Sequence, residues 1–184
     1  MARLPYRDAD DLAAEDKPLL VRPVNLYRAM VNNPGITRAF LGLANQIRHQ
    51  GVLDGRLREL AILQVGWVTR SPYEWSHHVK IGRDFGVTDA DLHAIAAETK
   101  GEASELEPAA RAVLRAAREM ADGADALRDV TFIELRAYLD EPALTELLVV
   151  IAFYCGVVRF LGAAGIEVEP DYQPHLDAFP LPTD

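Results

Sequence analysis

Three side chains between positions 56 and 78 stand out as candidates for moving protons near neutral pH: Glu59, Glu74 and His78. Glu59 stands in Arg58-Glu59-Leu60-Ala61-Ile62-Leu63, where a carboxylate opens an apolar run. Near a helix N-terminus its charge is favoured by roughly 0.3–1 kcal/mol. The alternative role is a general base, or a partner for a buried histidine. Glu74 and His78 are four residues apart, which on a helix puts both on one face with Cβ atoms about 5–6 Å apart. A carboxylate beside an imidazole raises the imidazole pKa and holds its tautomer, while burial opposes ionisation. The product is a proton donor–acceptor near neutral pH. By pattern alone, a surface pair or a satisfied core contact is the more common use of such spacing.

Other chemistries find less support. A metal at Glu59, Glu74 and His78 is the weaker reading, since no second histidine falls at ligand spacing on that face and no His-Glu-x-x-His occurs. No metal and no cofactor are expected. Glycine-rich phosphate loops and Gly-x-Ser-x-Gly elbows are absent. His77 points to another face and reads as a surface or subunit contact. Cys155, the one cysteine, reads as a small buried hydrophobe. Of the aromatic residues nearby, Tyr73, Trp75, Trp67 and Phe85, most belong to the core, and one or two wall a pocket.

The elements that must position these groups are all helical. Asn25 to Val31 is a short helix, and Asn33-Pro34-Gly35 breaks it and starts the next, which runs to His49. Gly51 and Asp54-Gly55 mark a loop before a helix that is apolar nearly all round, and therefore buried. Thr69-Arg70-Ser71-Pro72 turns the chain. Ser71 caps the following helix, Pro72 suits its first position and Gly86 stops it. This short connection makes the two helices antiparallel neighbours. Glu59 and His78 then lie at different levels, so their contact requires a tilted crossing. Thr88 with Asp91 forms a capping-box pattern for another helix. An amphipathic segment follows at Glu107–Met120 and a short helix at Thr131–Leu139, and Pro142 opens a long apolar helix to Leu161. No strand-like alternation appears. The reading is one all-α domain, 1–184, a bundle of seven to eight helices. Residues 1–23 form an arm over the domain or a neighbouring subunit, and the proline-rich stretch 166–184 forms an extended tail.

The totals bound the function. Net charge is −9 from 19 basic and 28 acidic residues, which repels nucleic-acid phosphates, so no nucleic-acid partner is expected. No apolar run is read as long enough for a membrane span, because Leu144–Leu161 carries Glu146 and Arg159. The first sixteen residues lack a signal-like apolar stretch. A lone cysteine fits a reducing cytosol, and a cytoplasmic, soluble protein is expected.

Arg58-Glu59-Leu60-Ala61-Ile62-Leu63, then Tyr73-Glu74-Trp75-x-x-His78-Val79, Gly82 and Gly86-Val87-Thr88-x-x-Asp91-Leu92 resemble the carboxymuconolactone decarboxylase family, which includes alkylhydroperoxidase D-like proteins. The resemblance is strongest over Leu57–Ile95 and continues from Asn25 through Leu161. In the peroxidase branch a Cys-x-x-Cys-x-x-x-His motif does the redox work, with a glutamate on the preceding helix. Glu59 falls on that glutamate and His78 on the histidine, but Ser71 and Glu74 stand where the two thiols would be. Neither serine nor carboxylate can cycle through sulfenic acid and disulfide, so dithiol peroxidase chemistry is excluded.

What the resemblance implies is the decarboxylase branch's chemistry: proton transfer at carbon next to an activated carbonyl or lactone. The expected activity is a cofactor-independent lyase or isomerase on a small organic acid or lactone. Glu59, Glu74 and His78 would be catalytic. Arg56, Arg58, Tyr73 and Tyr154 would bind substrate, with Arg38 a further cation candidate for its carboxylate. The rival readings are a peroxidase-like protein that has lost its dithiol, and a small-ligand-binding protein without catalysis. The resemblance also implies a homo-oligomer, a trimer or hexamer.

Overall fold

The helix Gly55–Val68 (α3 in chain order) is the axis of the domain. Every residue from Arg58 to Gly66 is buried. Ala61, Ile62 and Val65 join one apolar cluster, while Leu60 and Leu63 join a second. A helix with partners on all sides must be apolar all round, which is what the sequence of α3 displays. The computed structural model describes residues 1–182.

Around α3 stand α1 (Asn25–Met30), α2 (Pro34–His49), α4 (Pro72–Asp84), α5 (Asp89–Lys100), α6 (Pro108–Asp122), α7 (Asp129–Leu135), α8 (Glu141–Ala164) and α9 (Gln173–Ala178). Among the described residues there is no strand. α3 packs on α4, α5, α6 and α8. Asn33, Asp54, Ser71, Thr88 and Asp140 each accept a hydrogen bond from a first-turn backbone N–H of the helix they precede. The capping box of Thr88 and Asp91 is present as read.

Two expectations change. The tail is not extended throughout. Pro170–Tyr172 is a 3-10 turn and α9 follows it, each with a proline in its first turn, where the missing N–H is no loss. α9 is the helix the sequence reading omitted; residues 183 and 184 of the expected tail lie outside the described residues. α8 has 24 residues and is, by length and composition, apolar enough to cross a bilayer. Its Leu147, Val150 and Ile151 nevertheless pack in the core with Ala112, Val113 and Ala116 of α6. That contact explains the apolarity, and Glu146 accepts from the backbone N–H groups of Val52 and Leu53.

The N-terminal arm lies on its own domain. Arg3 N–H donates to the Ala164 carbonyl at 2.7 Å, and Glu167 N–H donates to the Tyr6 hydroxyl at 3.1 Å.

Candidate active site

The α3–α4 connection is tight. Arg70 adopts φ +50°, and Ser71 N–H donates back to the Gly66 carbonyl at 3.0 Å. Gly66 lets the helices approach, because a Cβ there would meet the Trp75 backbone nitrogen at 3.2 Å. Gly66→Val is therefore expected to push α4 outward and lower stability by about 1–3 kcal/mol in urea unfolding. An unchanged midpoint would show that the approach tolerates bulk.

Glu59 lies nine residues before Val68, and His78 six after Pro72. At 1.5 Å per residue the mismatch in level is about 4–5 Å. The side chains span it: His78 Nδ1 is 2.7 Å from Glu59 Oε2. On the other edge of the ring, Nε2 is 2.9 Å from Glu74 Oε1. All three residues are buried. The imidazole thus sits between two carboxylates, and its edges are both engaged.

The electrostatics follow. Burial opposes charge on His78, but Glu59 and Glu74 outweigh it and push its pKa up to about 9. Burial likewise opposes ionisation of Glu59, yet His78 and Arg58 hold its pKa below the ordinary carboxylate value. At neutral pH Glu59 is therefore ionised and His78 protonated, one buried charge of each sign in contact.

A hollow of about 40 Å³ reaches Glu74 and His78. By volume it holds about three waters, or the reacting end of a small molecule. Tyr27, Phe40, Phe153 and Tyr154 wall it. The Tyr154 ring meets His78 edge-on at 5.1 Å between centroids. Burial raises the Tyr154 pKa, so its hydroxyl stays protonated and can donate.

Some expected substrate contacts are elsewhere. Arg56 is held by Asp91 and Glu107, at 2.5 and 2.7 Å, away from the hollow. Arg58 is buried behind Glu59, to which it donates at 3.0 and 3.2 Å, and it lies over the Phe85 ring. Arg38 is paired with Asp16 near the surface. Each guanidinium already has its carboxylate, so none is free for a ligand in this arrangement. Tyr73 does line the hollow, but its hydroxyl accepts from Leu26 N–H and donates to Glu169. The guanidinium groups that do line the hollow are those of Arg22 and Arg48, which the sequence reading did not single out.

His77 is also corrected. It is buried, stacked between Tyr73 and Tyr172, with Nε2 2.8 Å from Glu169. Burial lowers its pKa despite that carboxylate. The signal that hides it is remote: Tyr172 and Glu169 come from the C-terminal segment, which folds back over α4. Cys155 is buried, as read.

Residues 34–119 match the model of the Carboxymuconolactone decarboxylase family. No protein of curated function matches the chain. Among solved structures, a single-site variant of the debrominase Bmp8 in complex with 2,3,4-tribromopyrrole is similar at 22% identity, over 97% of this chain and 98% of that one, with a TM-score of 0.83. The alkylhydroperoxidase AhpD core of an uncharacterized peroxidase-related protein from Ralstonia eutropha JMP134 is similar at 17% identity, over 93% and 94%, with a TM-score of 0.80. An uncharacterized peroxidase-related protein from Silicibacter sp. TM1040 is similar at 17% identity, over 92% of each chain, with a TM-score of 0.74. At these identities the likeness concerns the fold, which is alkylhydroperoxidase D-like.

Proposed function

Since the chain is, over residues 34–119, a member of the Carboxymuconolactone decarboxylase family, we propose that it is a cofactor-independent lyase or isomerase that transfers a proton at carbon in a small organic acid or lactone. The observation that carries this reading is the doubly held imidazole: Glu59, His78 and Glu74 in line, with the Glu74 end open to a hollow. Glu74 takes the proton from carbon next to the substrate carbonyl, and the C–H electron pair moves onto the carbonyl oxygen as an enolate. Tyr154 O–H donates to that oxygen. His78⁺ faces Glu74 through Nε2 and stabilises it while it is ionised. In an isomerisation the proton returns to a different carbon. In a decarboxylation the breaking C–C bond leaves its electron pair on the conjugated carbonyl system, CO₂ departs, and the proton delivered to carbon comes from His78⁺ by way of Glu74. Glu59, held by Arg58, fixes the ring and its charge.

An aromatic-walled hollow suits a small planar substrate, and the fold accommodates one in the debrominase complex with 2,3,4-tribromopyrrole. The missing thiols argue against the peroxidase reading, because Ser71 serves as an N-cap and Glu74 as an ion-pair partner. The access of the hollow to His78 favours catalysis over a purely structural Glu–His pair. A cytoplasmic homo-oligomer, a trimer or hexamer, belongs to the same reading. Val130 and Ile133 of α7 are more than half exposed and offer apolar surface to a second copy. Light scattering at micromolar concentration checks it, and a monomer would contradict it.

The test is proton exchange. Small keto acids and unsaturated lactones are incubated in D₂O with the protein, and carbon-bound hydrogen is followed by NMR. The expected result is deuterium incorporation or conversion with the wild type and none above background with His78→Gln, whose fold is checked by circular dichroism. Equal rates with His78→Gln, or no exchange in any wild-type reaction, would overturn the proposal. Peroxide consumption with a dithiol donor is expected to be absent, and robust turnover surviving Cys155→Ser would contradict the argument from thiols.

A further inference from the structure

Most arginines in this chain are tied to a carboxylate or carbonyl, as a chain with net charge −9 readily allows. Arg48 is different. Its side chain makes no ion pair or hydrogen bond among the described residues. Arg22 meets only the Tyr172 hydroxyl, at 2.8 Å, and Lys80 lies over the Tyr172 ring. These three cations line a second, outer hollow of about 480 Å³, which also contains His49 and a single carboxylate, Asp84. Arg22, Arg48 and Ile81 line the inner hollow as well. The two spaces therefore share a border that carries a guanidinium from α2 and another from the segment before α1. A basic vestibule on an acidic protein concentrates anions at one place.

We propose that Arg48, assisted by Arg22, is the anion-binding residue of the site, and that the ligand is an organic carboxylate held at this border with its reacting end toward Glu74 and His78. This rests on the acid–base reading above and assigns its substrate class and route of entry. A guanidinium fork matches a carboxylate with two parallel hydrogen bonds. Phe40, Phe153 and Val157 of the inner hollow meet the reacting end, while Ile81, Phe85 and Tyr172 of the vestibule reward an apolar body, which inorganic phosphate lacks. The inner hollow admits only a few atoms, so the rest of the ligand occupies the vestibule.

Calorimetric titration with benzoate tests the assignment without requiring turnover. Wild type is expected to bind benzoate at least about tenfold more tightly than benzyl alcohol or inorganic phosphate. Arg48→Met is expected to weaken benzoate by at least about tenfold, and Arg48→Lys by less, since it keeps the charge and loses the fork. His78→Gln is expected to retain benzoate binding within about threefold while losing proton exchange. Loss of exchange alone would thus leave the carboxylate site standing, and loss of benzoate binding alone would leave the acid–base groups standing. The proposal is overturned if wild type shows no benzoate binding up to about 10 mM. It is also overturned if folded Arg48→Met binds like wild type, or if benzyl alcohol or phosphate binds as tightly as benzoate.

Discussion

Glu59→Ala is expected to destabilise the protein by about 3–5 kcal/mol, the cost of leaving buried charges without their partner. Glu59 is 1% exposed and faces two cationic groups, Arg58 on one oxygen and His78 on the other. Removing it strands the Arg58 guanidinium, 4% exposed, with the Ile47 and Arg48 carbonyls and the Phe85 ring as its remaining contacts. It also removes one of the two carboxylates that keep His78 charged. Urea unfolding at neutral pH measures the loss. Glu59→Gln keeps the shape and one hydrogen-bonding oxygen, so it is expected to lose less while lowering the His78 pKa. A Glu59→Ala loss below about 1 kcal/mol would mean that water or rearrangement compensates the cluster, and that the buried charges are not held as described.

The same cluster has a chemical implication. A core chosen for stability alone can replace such a group of charges with apolar residues at little loss or with a gain. Keeping the buried Glu59–His78 pair beside a hollow agrees with a site that uses it.

Stability is expected to fall on the alkaline side by an amount on the order of 3 kcal/mol as His78 loses its proton. The sign follows from the direction of the shift. His78 is raised from 6.5 to about 9 in the folded state. The folded protein therefore holds this proton more tightly than the unfolded chain does. The stabilisation is fully present below 6.5 and is lost as pH climbs through about 9. Glu59 works in the opposite direction. Its folded pKa is depressed, so its contribution is present above the ordinary carboxylate value of 4.5 and is lost as pH drops through the folded pKa. Both limbs report one coupling between Glu59 and His78, and their magnitudes do not add. Denaturant unfolding at about pH 6 and about pH 10 measures the alkaline limb, and NMR of the His78 ring locates its midpoint. His78→Gln is expected to flatten that limb. A wild-type midpoint near the ordinary histidine value of 6.5, or an equally steep alkaline loss in His78→Gln, would contradict the doubly held imidazole.

The sequence by itself determined what depends on near neighbours along the chain. Proline, glycine and cap residues mark where a helix must start or stop, so α2, α4 and the capping box of α5 were read almost to the residue. The four-residue spacing of Glu74 and His78 placed them on one face, and the pair is in contact. The absence of a cysteine at 71 or 74 needs no coordinates to exclude dithiol chemistry. Tertiary structure alone decided which groups are free. Arg56 is spent on Asp91 and Glu107, partners 35 and 51 positions away, while Arg48 is left without a carboxylate. His77 is buried because Tyr172 and Glu169 return from the far end of the chain. Local rules govern backbone conformation within a turn or two. The charge state and accessibility of a side chain depend instead on whatever the fold brings to within a few ångströms of it, and periodicity carries no record of that.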